Sequence, residues 1–142
     1  MFELHIYGAA IMMTGPTILI ADDDIGLVRV LRTVLEPLGI QIRETYDATS
    51  ALTLIQRSPP NLVVLDITMP GGNGLSACEM LKTDKNMERV PVIILSGRSD
   101  DLTRSRCMQM GAHFVCKGPD AVSEVRRVVV SLLGMDKLSG AA

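Results

Sequence analysis

Four apolar runs end in residues that can hold or move charge. ILIA (18–21) leads straight into Asp22, Asp23 and Asp24; LVVL (62–65) ends in Asp66; VIIL (92–95) ends in Ser96; AHFVC (112–116) ends in Lys117. Adjacent carboxylates repel, and placing them beside apolar surface is costly unless a cation compensates. Oxygen donors without soft ligands suit Mg²⁺, which keeps several waters and needs only a couple of carboxylates. A carboxylate at such a site can also attack phosphorus and form an acyl phosphate. The phosphoryl oxygens then need neutralising by the metal, an ammonium and a hydroxyl. This assigns Asp66 as the nucleophile, Asp22 and Asp23 as metal ligands, and Lys117 and Ser96 as the groups facing the phosphoryl oxygens. Each residue alone has a blander reading: an N-cap with spare surface charge for the aspartate run, a loop cap for Ser96, a surface lysine for Lys117. Their joint placement requires elements that bring all four ends together.

The chain supplies such elements by alternating two textures after Pro16. Short apolar runs read as buried parallel strands: 17–21, 62–66, 92–96 and 112–116, with a further short strand at 40–45. Between them, apolar residues recur at helical spacing. Asp24 is positioned to cap a helix that buries Leu27, Val28, Leu31, Val34, Leu35 and Leu38 and ends at Pro37 and Gly39. Asp47 opens a second, through about 57, with Ala51, Leu54 and Ile55 inward. MPGGNG (69–74) is a glycine-rich turn into a third helix over about 75–82. A weakly patterned fourth covers 100–110 and stops at Gly111. A fifth spans about 121–133, with Val125, Val128, Val129 and Leu132 inward and Val130 facing outward. Five strands alternating with five helices imply right-handed crossovers and one parallel sheet covered on both faces. All carboxyl ends of such a sheet share one edge, where ligands bind.

Composition is consistent with one domain. The 142 residues are 47% hydrophobic and 21% charged, with a net charge of −2, which favours neither nucleic acid nor an anionic membrane as partner. Arg126 and Arg127 form the one adjacent basic pair and read as a solvated helix face. Cys78, Cys107 and Cys116 lack metal-ligand spacing and read as small thiols of a reducing cytoplasm. His5 and His113 stand apart, so a zinc site is disfavoured. Residues 1–16 are apolar without a basic leader region, open to reading as a strand, a disordered tail or an annotation artefact, since Met12 and Met13 offer later starts. Residues 134–142 form a short tail.

ILIADDD, LVVLDITMPGGNG, VIILSG and the lysine closing the last strand together resemble the receiver domains of two-component response regulators. The segment TYDATSALTLIQRSPPNLVVLD resembles that family's second helix and its approach to the phosphorylated aspartate. The resemblance covers about 17–133. It implies a (βα)5 flavodoxin-like, doubly wound fold with strand order 2-1-3-4-5. It further implies that Asp66 accepts a phosphoryl group from a sensor histidine kinase, or exchanges it with a histidine phosphotransfer protein. Mg²⁺, with Mn²⁺ as a substitute, would be held by Asp23, Asp66 and the Thr68 carbonyl, with Asp22 acting through water. Ser96 and Phe114 would form the switch, Thr68 and Arg98 would tune phosphate lifetime, and the fourth helix, fifth strand and fifth helix would be the readout face. The implied partners are the kinase and a downstream protein, with no direct nucleic-acid or membrane contact, for a monomer or weak homodimer. The chain departs from the family where Gly118 separates Lys117 from Pro119, in place of a proline directly after the lysine that commonly carries a cis bond. Phe114 also replaces the more frequent tyrosine. Rival readings are a phosphorelay intermediate, the receiver fragment of a hybrid kinase, an aspartate-dependent phosphohydrolase and a pseudo-receiver. The first two keep a protein that catalyses only its own phosphorylation and dephosphorylation.

Overall fold

A computed structural model describes residues 3–7 and 10–136. Its main sheet has five parallel strands in the order β4-β3-β5-β8-β9, from β3 (Thr17–Ala21), β4 (Gln41–Thr45), β5 (Leu62–Asp66), β8 (Val92–Ser96) and β9 (His113–Cys116). This is the 2-1-3-4-5 order that the resemblance implies. Five helices connect the strands: α1 (Ile25–Leu35), α2 (Ala48–Arg57), α3 (Gly74–Thr83), α4 (Asp101–Gln109) and α5 (Ala121–Leu132).

The strands alternate between two buried faces. Ile18, Ile20, Leu62, Val64, Ile93 and Leu95 pack with Val28, Leu31 and Leu35 of α1 and Val125 and Val129 of α5. Their neighbours Leu19, Ala21, Val63, Leu65, Val92 and Ile94 face α2, α3 and α4 through Ala51, Ile55, Cys78, Leu81 and Cys107. Fully burying one such aliphatic side chain is worth about 1.5–3 kcal/mol, so the two layers hold the sheet as a rigid platform.

Local signals set the helix starts. Asp24 caps α1 by accepting from the Leu27 N–H at 3.1 Å, and Asp47 caps α2 by accepting from the Ser50 N–H at 2.7 Å. Both follow the N-cap chemistry that the sequence indicates. The first helix is shorter than its apolar periodicity suggests. Pro37 has no N–H to continue it, and Glu36–Leu38 form a separate 3-10 turn. Leu27, Val34 and Leu38 are half-buried rather than core.

Two features go beyond the alternation. Within MPGGNG, β6 (Thr68–Met69) and β7 (Gly72–Asn73) form a minimal antiparallel hairpin. Before the main sheet, β1 (Glu3–Tyr7) pairs antiparallel with β2 (Ala10–Thr14), the strand alternative for this extension. Residues 1, 2, 8 and 9, and 137–142 of the expected tail, lie outside the described residues. Among the described residues every peptide bond is trans, including those around Gly118 and Pro119. No helix among them is long and apolar enough to cross a membrane.

Candidate functional site

The parallel register brings the ends of β3, β5, β8 and β9 to one edge. Ala21 pairs with Leu65, Asp66 with Leu95, and Ser96 with Cys116. One step past the ladders, the Lys117 N–H donates to the Ser96 carbonyl at 2.8 Å, and the Asp22 N–H donates to the Thr45 carbonyl at 3.1 Å. The sheet itself therefore positions Asp22, Asp66, Ser96 and Lys117.

The three aspartates after β3 have three different jobs. Asp22 is fully buried, Asp23 exposed, and Asp24 is the α1 cap whose own N–H donates to Asp22 Oδ1 at 2.9 Å. Lys117 Nζ lies 3.0 Å from Asp22 Oδ2 and 3.2 Å from Asp66 Oδ2. Asp66 is 5% exposed, and its Oδ1 accepts from the Thr68 N–H at 3.4 Å. Carboxylate oxygens of Asp22, Asp23 and Asp66 lie within 4.8 Å of one another. One ammonium faces two buried carboxylates, with a third at the mouth.

Burial first, then the charge of Asp22, pushes the Asp66 carboxyl above its ordinary range, and Lys117 only partly offsets this. Burial works against the Lys117 ammonium, but hydrogen bonding and charge from Asp22, then Asp66, outweigh it and raise its pKa. The site thus carries uncompensated negative charge. Asp22 Oδ2 is buried without a hydrogen bond, because its contact with Nζ is close but poorly aligned. A buried acceptor left unsatisfied is costly. A divalent cation and its waters would satisfy it, so the donor set fits Mg²⁺.

The remaining expected residues have different surroundings. Ser96 is buried, and its Oγ accepts from the Arg98 N–H at 3.0 Å. Arg98 reaches Asp100 at 3.7 Å on the surface. Thr68 is exposed in β6. Phe114 is half-buried away from the carboxylates, with the Arg104 guanidinium 4.5 Å over its ring. Both belong to a cavity of about 300 Å³ that also includes Cys107, Met108, Ala112 and His113. Gly118 and Pro119 are exposed, and the Gly118 carbonyl accepts from the Ala121 N–H at 3.1 Å. Cys78 and Cys107 are enclosed in the core, where burial drives the Cys78 thiol up to about 11.

One residue important to the site escaped sequence reasoning. At Gly74 a β-carbon would overlap the Asp66 carbonyl oxygen and stand 2.8 Å from its carbonyl carbon. The Gly74 N–H also donates to the Ile67 carbonyl at 2.9 Å. Gly74 lets α3 start directly against the backbone of Asp66. The glycine cluster signalled a turn, but nothing in it singled out this close approach.

A family model described as the response regulator receiver domain matches residues 18–129. The chain is 33% identical over 128 residues to "Probable transcriptional regulator ycf27" of Porphyridium aerugineum, a match covering 89% of this chain and 52% of that protein. The first four curated relatives are covered over only 17%, 47%, 52% and 46% of their own lengths, so the chain spans about half of them or less. Among solved structures, the Francisella response regulator 1452 receiver domain is 29% identical, with a TM-score of 0.77 covering 85% of this chain and 98% of that one. The signal receiver domain of a signal transduction histidine kinase from Syntrophus aciditrophicus is 28% identical, with a TM-score of 0.76 covering 84% and 91%. Parallel sheet, buried acidic edge and matched family model agree, and the chain belongs to the response regulator receiver domain family.

Proposed function

We propose that residues 17–133 act as a phosphoryl-accepting switch with Asp66 as the acceptor. The observation that carries this reading is the buried arrangement of Asp66 and Asp22 around Lys117, with Asp23 at its mouth. An Asp66 oxygen attacks the phosphorus of a phosphohistidine. The new P–O bond forms as the P–N bond breaks, and the imidazole leaves. Lys117 neutralises oxygens of the transferring group, and the Ser96 hydroxyl donates to the product phosphoryl. Asp23, Asp66 and the Thr68 carbonyl would hold Mg²⁺, with Asp22 beside them as a further acidic group. When bound, the ion supplies the positive charge that the phosphoryl oxygens need.

Ser96 then moves toward the phosphoryl group, and Phe114 repacks on β9 beneath Arg104. A local charge change thereby biases two arrangements of one face. That face comprises α4, β9 and α5, with Leu102 and Met108 strongly exposed on α4. Thr68 and Arg98 flank the entrance and set how readily water reaches the acyl phosphate. The phosphodonor is a cytoplasmic histidine kinase or phosphotransfer protein, and the output passes to a protein target. The likeness to a receiver domain of a histidine kinase favours a second reading, in which the domain returns the phosphoryl group to a histidine as a relay step.

Incubation with Mg²⁺ and acetyl phosphate, followed by intact mass, tests the acceptor. A gain of one phosphoryl group, absent in Asp66→Asn and absent without Mg²⁺, is the expected result. Multiple turnover on a free phosphomonoester would instead indicate a phosphohydrolase.

A further inference from the structure

The loop carrying the Thr68 carbonyl is fastened to a helix outside the acidic site. Thr68 pairs with Asn73 and Met69 with Gly72, so residues 68–73 form a tight hairpin with Pro70–Gly71 at its tip. The base of the hairpin is held by Gly74, as described above. The tip is held by the first turn of α2. The Ala48 N–H donates to the Pro70 carbonyl at 3.1 Å, and Thr49 Oγ1 donates to the Gly71 carbonyl at 3.5 Å.

The fit at the tip is close. Gly71 has φ +81°, where a side chain would be strained, and a β-carbon there would meet Thr49 Oγ1 at 3.2 Å. One at Gly72 would meet the Ala48 Cβ at 3.3 Å. Met69 packs in the same core layer as Ala48 and Ala51.

The first N–H groups of a helix have no partner within it. In α2 one of them, on Ala48, goes to the loop. Another, on Ser50, goes to Asp47, whose second oxygen also accepts from the Ser50 hydroxyl at 2.8 Å. Asp47 therefore keeps the turn wound that presents the Ala48 N–H to Pro70. Without the cap this turn frays, and the loop loses its seat.

We infer that Asp47 is a positioning residue for the metal: by capping α2 it holds the β6–β7 hairpin, and with it the Thr68 carbonyl, in place beside Asp66. The inference rests on the reading that the Thr68 carbonyl is a Mg²⁺ ligand. Asp47 touches neither the metal ligands nor the phosphoryl path and acts only through the loop.

The test is calorimetric titration of Mg²⁺ into the full chain and three variants. Asp47→Ala is expected to raise the Mg²⁺ Kd about fivefold, the factor that one N-cap typically controls. Asp47→Asn, which caps as well, stays within about twofold of the parent. Asp100→Ala is the matched control, since Asp100 caps α4 through the Thr103 N–H and hydroxyl in the same manner. It also stays within about twofold. An unchanged Kd in Asp47→Ala overturns the inference, as does an equal rise in Asp100→Ala. Amide hydrogen exchange of residues 67–74 without metal separates this claim from the metal reading. Faster exchange confined to Asp47→Ala supports the clamp even if Mg²⁺ fails to bind the parent. Unchanged exchange overturns the clamp even where Mg²⁺ binds.

Discussion

Replacing Gly74 by alanine tests how far the acceptor depends on one missing methyl group. The added β-carbon overlaps the Asp66 carbonyl oxygen and lies 2.8 Å from its carbonyl carbon and 3.1 Å from the Ile67 Cα. Ordinary contact begins at 3.4 Å, so the carbonyl carbon alone requires 3.4 − 2.8 = 0.6 Å of separation. The oxygen requires more, which puts the displacement on the order of 1 Å, where misplacement of a reacting group costs roughly 100-fold in rate. The neighbours are backbone, which cannot rotate away, so the fold also loses about 1–3 kcal/mol, as overpacked sites do. At about 4 °C per kcal/mol for a chain of this size, the melting temperature falls by roughly 4–12 °C. The assay is the initial rate of phosphorylation by acetyl phosphate at saturating Mg²⁺, well below the variant's melting temperature. Gly118→Ala is the control, since nothing lies within 4 Å of a β-carbon there, and it should match the parent in melting temperature. A Gly74→Ala protein phosphorylated within twofold of the parent rate would refute the reasoning that the α3 start fixes the acceptor.

Other perturbations have equally definite outcomes. Lys117→Met leaves Asp22 and Asp66 facing each other in burial. Urea unfolding without Mg²⁺ should show a loss below the about 3–5 kcal/mol of a fully enclosed pair, because Lys117 is 26% exposed, and Mg²⁺ should recover part of it. Asp66→Asn should stabilise the metal-free fold at neutral pH. The folded pKa of Asp66 is raised, so its favourable contribution is complete below the unfolded value, about 3.9, and disappears as pH rises through the folded value; the variant's advantage in urea melts must therefore grow with pH over that interval. Arg104→Ala removes the guanidinium from the Phe114 ring and should cost about 0.5–1 kcal/mol in thermal melts, while the acetyl phosphate rate stays unchanged.

The sequence revealed most where several local signals agreed. TILIA runs into Asp22 and LVVLD ends in Asp66; both read as buried strands that deliver carboxylates to an edge, and both are strands with the expected bounds. The caps at Asp24 and Asp47 were legible because aspartate before an amphipathic run has one dominant use. Lys117 was legible only through its place after the last strand. Its partnership with both Asp22 and Asp66 spans 95 and 51 residues of chain and is a product of sheet order. Gly74 and the β6–β7 hairpin were hidden because glycine clusters announce turns without saying which backbone comes close. Helix α4 gave a faint signal because it buries little beyond Thr103 and Cys107 and leaves Leu102 and Met108 exposed. Residues 1–16 gave no single reading, since a two-stranded ribbon of mixed apolar residues is marginal in isolation.

The central claim is that Asp66 itself becomes the acyl phosphate. Borohydride reduces an acyl phosphate to an alcohol, converting a phosphorylated aspartate to homoserine. The most direct measurement is therefore phosphorylation with Mg²⁺ and acetyl phosphate, borohydride trapping and peptide mapping. Homoserine at position 66 and at no other aspartate is the predicted result. Homoserine at Asp22, Asp23 or Asp24, or a phosphoryl group retained on Ser96, would contradict the account.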